Sequence, residues 1–226
     1  VVGFAWTHEE VITDLMRQFI SSYKDLPKFP YQIQKKFRNE MRAKSGIMRT
    51  REFDMKDLYS FSATQEQHDK FYAACADAYM KIFKRLGIGE QTYMTFASGG
   101  AFSKFSHEFQ TVCDAGEDII YVNETKKIAL NKEIFNEKTL SDMGMKEEDF
   151  VTKKVAEVGN IFNFGTEKCE KLELFFKEND GTKKPVFLSS YGIGITRLMG
   201  VIAEVLSDDK GLIWPKEVSP FDIHLI

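Results

Sequence analysis

The stretch Tyr31-Gln-Ile-Gln-Lys-Lys-Phe-Arg-Asn-Glu-Met41, followed after Lys44-Ser45-Gly46 by Arg49-Thr-Arg-Glu-Phe-Asp-Met-Lys-Asp57, decides the fold. Successive side chains of an extended strand point to opposite faces, so the first run puts Tyr31, Ile33, Phe37 and Met41 on one face and Gln34, Lys36, Arg38 and Glu40 on the other. The second run groups Arg49, Arg51, Phe53 and Met55. Two alternating runs separated by a Ser-Gly break predict an antiparallel hairpin. A hairpin face with Arg38 and Glu40 opposite Arg49 and Phe53 offers a guanidinium for a phosphate, a carboxylate for an exocyclic amine and an aromatic plane for a purine. Residues 24–56 carry ten Lys/Arg against four Asp/Glu, a local +6 in a chain of net charge -3; this charge suits a phosphate partner or balances acidic neighbours.

Working outward, Val11, Ile12, Leu15, Met16, Phe19 and Ile20 recur at helical spacing, and Thr7 with Glu10 matches a capping box, which predicts a helix from Thr7 to Tyr23. A second helix is predicted over Ser62 to Leu86, with Gly87 as its stop. Strands are predicted at Gln91 to Ala97, Phe105 to Cys113, Asp118 to Val122 and Val151 to Phe162. Leu172, Leu174 and Phe176 alternate into a turn at Asn179-Asp180-Gly181, with Val186 to Ser190 as the returning partner. A last helix follows Gly194. Strands joined through turns, with helices at irregular intervals, point to an α+β fold with an antiparallel sheet flanked by helices.

Composition sets the outer bounds. The 226 residues are 43% hydrophobic, 13% aromatic and 29% charged, which suits a packed core and excludes a disordered chain. No apolar run approaches the roughly 18 residues of a membrane span, and the mean hydropathy is -0.32, so a soluble protein with no membrane partner is expected. Cys75, Cys113 and Cys169 are odd in number and widely spaced, which supports neither a disulfide framework nor a zinc site and favours a reducing compartment. The chain opens at Val1 rather than Met, as expected of a fragment.

Two further constellations carry chemistry. Tyr191-Gly192-Ile-Gly194-Ile-Thr-Arg197 opens the last helix with glycines that let a ligand approach the backbone, yet it is neither a P-loop nor a dinucleotide fingerprint. Thr7-His8-Glu9 and Ser106-His107-Glu108-Phe109 form the other pair. Neither has the order of a Ser/His/Asp hydrolase or the spacing of a metal site.

In sequence order these motifs, with Glu157-Val-Gly-Asn160-Ile-Phe162, resemble the catalytic domain of the bacterial-type prolyl-tRNA synthetases, a class II family. Residues 37–57 look like motif 2 and residues 192–197 like motif 3; Ser21 to Pro27 and Arg51 to Phe61 are similar to further hallmarks of these enzymes. The resemblance implies a class II antiparallel sheet, ATP and Mg²⁺, and L-proline and tRNA as substrates. It also implies a homodimer and a cytoplasmic setting. By the same resemblance Arg38 and Arg197 are the catalytic charges, and Arg38, Glu40, Arg49, Phe53 and Arg197 bind ATP. Thr7, Glu9, Arg38, Met55, His107 and Glu108 bind proline, with Phe109 as a further wall, and Glu157 and Asn160 hold Mg²⁺. The catalytic core is then 1–213, and 214–226 begins a truncated anticodon-binding domain. Motif 1 would precede Val1, and a connector over 131–151 stands where many members carry an editing insertion. Trp6 replaces a usual Pro, and Ser189-Ser190 a usual Gly-Cys.

Overall fold

The computed structural model describes residues 3–97, 106–223 and 225. Helix α1 (Glu9–Met16) is shorter than the sequence predicts. Its N-cap is His8, no side chain caps it, and the Thr7 hydroxyl bonds the Glu9 carboxylate instead of forming a capping box with Glu10. The following residues are drawn into a separate helical turn, Tyr23–Asp25, which Ser22 and Asp25 cap reciprocally.

The predicted hairpin forms between β1 (Tyr31–Phe37) and β2 (Glu52–Ser62), in a register running from Tyr31 opposite Leu58 to Phe37 opposite Glu52. Its apolar face, however, points outward: Tyr31 is 72% and Ile33 61% exposed, whereas Lys36 is 3% exposed. β1 is the edge strand of the sheet, and the polar side is the one that packs, with Lys36 Nζ 2.9 Å from the Asp57 carboxylate on β2. Phe4 stacks on Phe37 on the outer side, with ring centroids 4.6 Å apart.

Helix α2 (Gln65–Arg85) is capped by Thr64, whose hydroxyl accepts from Gln67 N at 3.2 Å, and buries Cys75, Tyr79 and Phe83. It ends before Gly87, whose φ of +75° reverses the chain. Then follow β3 (Thr92–Ala97), β4 (Ser106–Val112), β5 (Asp118–Asn123), β6 (Ile128–Asn131), the short helix α3 (Glu137–Asp142) and the long β7 (Val151–Gly165). Phe105, the predicted start of one strand, lies outside the described residues. After α4 (Glu167–Lys171), β8 (Phe175–Lys177) pairs with β9 (Lys183–Pro185) through the predicted turn. Val186 N–H still bonds Leu174 O at 3.3 Å, but the rest of the predicted partner, 187–190, goes elsewhere: it belongs to β10 (Phe187–Gly194), which inserts between β2 and β7. Leu188 and Tyr191 are both fully buried, and a strand with both faces covered gains more in the middle of a sheet than in a surface hairpin. Helix α5 (Ile195–Val205) follows directly.

The main sheet runs β1-β2-β10-β7-β4-β3-β6-β5 and is antiparallel except between β3 and β6. β5 also pairs with β7, so five strands close on themselves. Helices α2 and α5 pack on one face, where Tyr79, Phe83, Phe109, Ile161, Tyr191 and Val201 form the principal core. A second cluster, including Met16, Tyr59, Phe61, Phe176 and Leu188, lies under α1. Trp214 packs against the principal core, so the segment expected to leave the domain at 214 first docks on it. All three cysteines are buried and unbonded. Among the described residues no helix is long and apolar enough to cross a membrane.

Candidate active site

Strand register brings distant residues into rows across the sheet face opposite α2. One row holds Asp57 on β2, Gly192 on β10, Asn160 on β7 and Glu108 on β4; the next holds Tyr59, Ser190, Phe162 and Ser106. Gly192 leaves this row open: a Cβ there would stand 2.5 Å from the flexible end of Met55, at Cε, and 3.0 Å from Asn160 Oδ1. Tyr59, Ser106 and Gln110 each present a buried side-chain oxygen with no hydrogen-bond partner among the described residues. Orphan polar atoms on one face are costly unless a polar ligand satisfies them.

At one end of these rows a cavity of about 310 Å³ is lined by Arg38, Glu40, Arg49, Phe53, Glu157 and Arg197, among others. Arg38 follows β1, its N–H donating to Arg51 O at 2.9 Å, and its guanidinium lies 5.4 Å from the Phe53 ring. Arg197, in the first turn of α5, donates Nε to Met48 O and NH1 to Glu157 O, each at 3.0 Å, tying the β1–β2 loop to β7. Arg49 donates Nε to Glu40 at 2.8 Å and NH1 to Glu117. The Arg49 bond, with a further one from Arg42 N–H, holds the Glu40 carboxyl below its ordinary range. Met55 and Asn160 also line the cavity, and Asn160 Nδ2 donates to Glu157 Oε1 at 2.8 Å, which sets the two side chains beside one another while the amide oxygen keeps its acceptor capacity.

Thr7 and Glu9 stand at the start of α1, joined by their side chains, with Glu9 buried. His8 between them bonds through Nδ1 to Gln32 and to Gln34 Nε2, the latter at 3.0 Å, which pins the Thr-His-Glu segment over the polar face of β1. Burial, then the Lys36 charge, lowers the His8 pKa. Burial, then the Asp57 and Glu9 charges, raises that of Tyr59. Thr7, Glu9, Asp57 and Tyr59 thus surround one polar region beside the cavity.

Glu108 faces the same side. Its Oε2 accepts from Gln110 Nε2 at 2.9 Å and Asn131 Nδ2 at 2.7 Å, and burial, with the neighbouring Glu157 charge, pushes its carboxyl well up from the ordinary range. His107 and Phe109 do not join it, which corrects their expected place in the proline set. As the residues on either side of Glu108 in a strand, they point to the opposite face. His107 Nδ1 bonds Tyr72 OH on α2 at 2.9 Å, and Phe109 is fully buried against Tyr79 and Phe83.

Sequence reasoning assigned no role to Tyr59, Ser106, Gln110, Asn131 or Glu117. Their signal is positional and emerges only from register. Lys36 and Asp57 were visible as charges on the hairpin but not as a buried pair.

Comparison with known proteins agrees with this geometry. Residues 4–206 match the family model described as tRNA synthetase class II core domain (G, H, P, S and T). A protein of Wolbachia pipientis named proline–tRNA ligase is 39% identical, the match covering 99% of this chain and 55% of the relative. Proteins of the same name from Rickettsia bellii and Rhodospirillum rubrum are 40% and 38% identical, over 99% and 97% of this chain and 54% and 55% of theirs. The chain spans about half the length of the curated relatives it matches. With the sheet, its motif order and its cationic cavity all in agreement, the chain belongs to the class II tRNA synthetase core-domain family.

Proposed function

We propose that the protein containing this domain activates L-proline with ATP to prolyl-adenylate and transfers the prolyl group to the 3′ end of its tRNA. The observation that carries this reading is the continuity of two regions on one sheet face. A cationic cavity with an aromatic wall, Arg38, Arg49, Phe53 and Arg197, adjoins a polar region of the same sheet face that holds Thr7, Glu9, the Lys36–Asp57 pair and Glu108. A nucleoside triphosphate suits the first and a small ammonium-bearing acid the second.

In this scheme a proline carboxylate oxygen attacks the α-phosphorus and pyrophosphate departs; a terminal ribose hydroxyl of tRNA then attacks the carbonyl and AMP departs. The nucleophile is already ionised, so the first step needs no general base, and the protein's work is positioning and charge neutralisation. Arg38 bridges the proline carboxylate and the α-phosphate, Phe53 stacks on adenine, Glu40 accepts from its amine, and Arg49 and Arg197 hold the β- and γ-phosphates. Thr7, Glu9 and Glu108 accept from the secondary ammonium, with Met55 as wall.

Magnesium suits the oxygen donors of Glu157 and Asn160. The Glu157 carboxylate is oriented by Asn160 and lines the cavity, with Glu108 and Asp118 close by. Among the described residues no set of three or more acidic, His or Cys side chains forms a cage; a hard ion that takes one or two protein carboxylates and completes its shell with phosphate oxygens and water needs none. When bound, the ion neutralises phosphate charge.

The reading includes a homodimer, supported by the exposed apolar side chains of the edge strand, Tyr31 and Ile33, with the exposed Phe4 stacked on Phe37 beside them. It also includes a cytoplasmic setting, an anticodon-binding domain after 214, and a connector at 131–151 in place of an editing insertion. Proline-dependent ATP–pyrophosphate exchange by the full-length protein, run across an amino-acid panel, tests the reading. Strong exchange with proline is expected; a strict preference for threonine or serine, or no exchange with any amino acid, refutes it.

A further inference from the structure

We infer that Glu117 is a positioning residue for the nucleotide phosphates, acting by holding the Arg49 guanidinium at the rim of the cavity; the inference rests on the reading of that cavity as an ATP site.

Glu117 sits in the turn between β4 and β5, whose backbone lies close against β7. A Cβ on the preceding Gly116 would come within 2.2 Å of Val155 O, so the turn is pressed directly on β7, and Gly116 N–H bonds Cys113 O at 3.0 Å. From this turn the two carboxylate oxygens reach across to the β1–β2 loop, Oε2 accepting from Arg49 NH1 and Oε1 lying 3.1 Å from Lys44 Nζ. That loop turns through Ser45 and Gly46 in the left-handed region, at φ of 55° and 58°, and Lys44 N–H bonds Arg49 O at 3.1 Å. Lys44 and Arg49 are therefore two ends of one small turn, and Glu117 grips both.

A carboxylate lining a cavity meant for a polyanion is unfavourable unless it acts through cations, and Glu117 does. Burial works against its ionised form, but the bonds from Arg49 and Lys44 hold its carboxyl below the ordinary range. Arg49 gives Nε to Glu40 and NH1 to Glu117, which fixes the plane of the guanidinium and directs the remaining NH2 as a donor for a ligand. Glu40 is also the residue assigned to the adenine amine, so nucleotide binding draws on it. Glu117, outside the adenine and phosphate contacts, is the carboxylate that keeps Arg49 in place throughout.

The test is pyrophosphate exchange and equilibrium ATP binding by the full-length protein and its Glu117→Gln, Arg49→Ala and double variants. Glu117→Gln should raise KM for ATP about five- to twentyfold, with KM for proline changed by less than about twofold and thermal unfolding nearly unmoved. In the Arg49→Ala background the same substitution should add less than about twofold, because the residue it acts through is gone. An unchanged KM for ATP, an equal rise in both KM values, or a full effect in the Arg49→Ala background overturns the inference. Should Glu117→Gln fold poorly, Glu117→Asp, which keeps the charge but withdraws it by one methylene, must show the same selective rise. ATP binding reads Glu117 whichever amino acid is activated, so failure of the proline reading and failure of this inference give different results.

Discussion

Lys56 lies on the side of β2 that meets α2, donating Nζ to Tyr79 OH at 2.8 Å and to Tyr191 O at 3.0 Å, with the Tyr79 ring centroid 4.8 Å away. No carboxylate forms an ion pair with it among the described residues. Burial pushes its pKa down from 10.5 to about 8, and the nearby Cys75 and Asp57 offset only part of this. The unfolded chain keeps Lys56 protonated up to about 10.5, so between pH 8 and 10.5 the unfolded state binds more protons and this residue's contribution to stability rises with pH. At about 1.4 kcal/mol per pH unit, the charged lysine costs the fold about 3 kcal/mol below pH 8, relieved by pH 10.5. The Lys56→Met variant has no such term. Urea unfolding of both proteins by circular dichroism, at intervals from pH 7 to 10.5, should show the wild type gaining about 3 kcal/mol relative to the variant across that window. The buried Cys75 thiol, pushed up to about 11, is present in both proteins and largely cancels in the difference. The Tyr79 and Tyr191 oxygens left without a donor give the variant a constant offset, not a slope. Parallel stability curves would refute the reasoning.

Three further outcomes are expected. Arg38→Ala, at an exposed position, should lower pyrophosphate exchange by about 10² to 10³ with little change in thermal unfolding, because it removes one preorganised charge from the cavity. Gly116→Ala, whose methyl meets backbone at 2.2 Å, should destabilise by more than about 3 kcal/mol in urea unfolding; Gly192→Ala, which meets the flexible end of Met55 at 2.5 Å and Asn160 Oδ1 at 3.0 Å, should cost less, about 1 to 2 kcal/mol by the same measurement. Asp57→Asn leaves the 3%-exposed Lys36 without its counter-charge and should cost about 3 to 5 kcal/mol, much of it recovered by Lys36→Met in the same chain, as read by urea midpoints.

Local pattern carried much of this protein into view. Alternation in 31–41 and 49–57 specified the hairpin, apolar spacing specified α2 and α5, and the composition of the hairpin and of the Tyr191–Arg197 segment picked out Arg38, Glu40, Arg49, Phe53 and Arg197, all of which line one cavity. These features depend on neighbours a few residues apart, so the chain displays them before it folds. What only the tertiary structure decided depends on which strand lies beside which. The outward turn of Tyr31 and Ile33 follows from the covering of the opposite face, where His8 bonds Gln32 and Gln34 and Lys36 pairs with Asp57, and nothing in an alternating run says which face will be covered. The insertion of β10 between β2 and β7 left β8 to pair with Lys183–Pro185. The separation of His107 from Glu108 is a one-residue matter of strand parity, which motif reading passes over when it treats Ser106 to Phe109 as a unit. The Lys36–Asp57 pair, the bond from Asn131 to Glu108 and the grip of Glu117 on Arg49 span about 20 to 70 positions of sequence. Partners that distant share no period in the sequence, and only the packed sheet brings their charges within bonding distance.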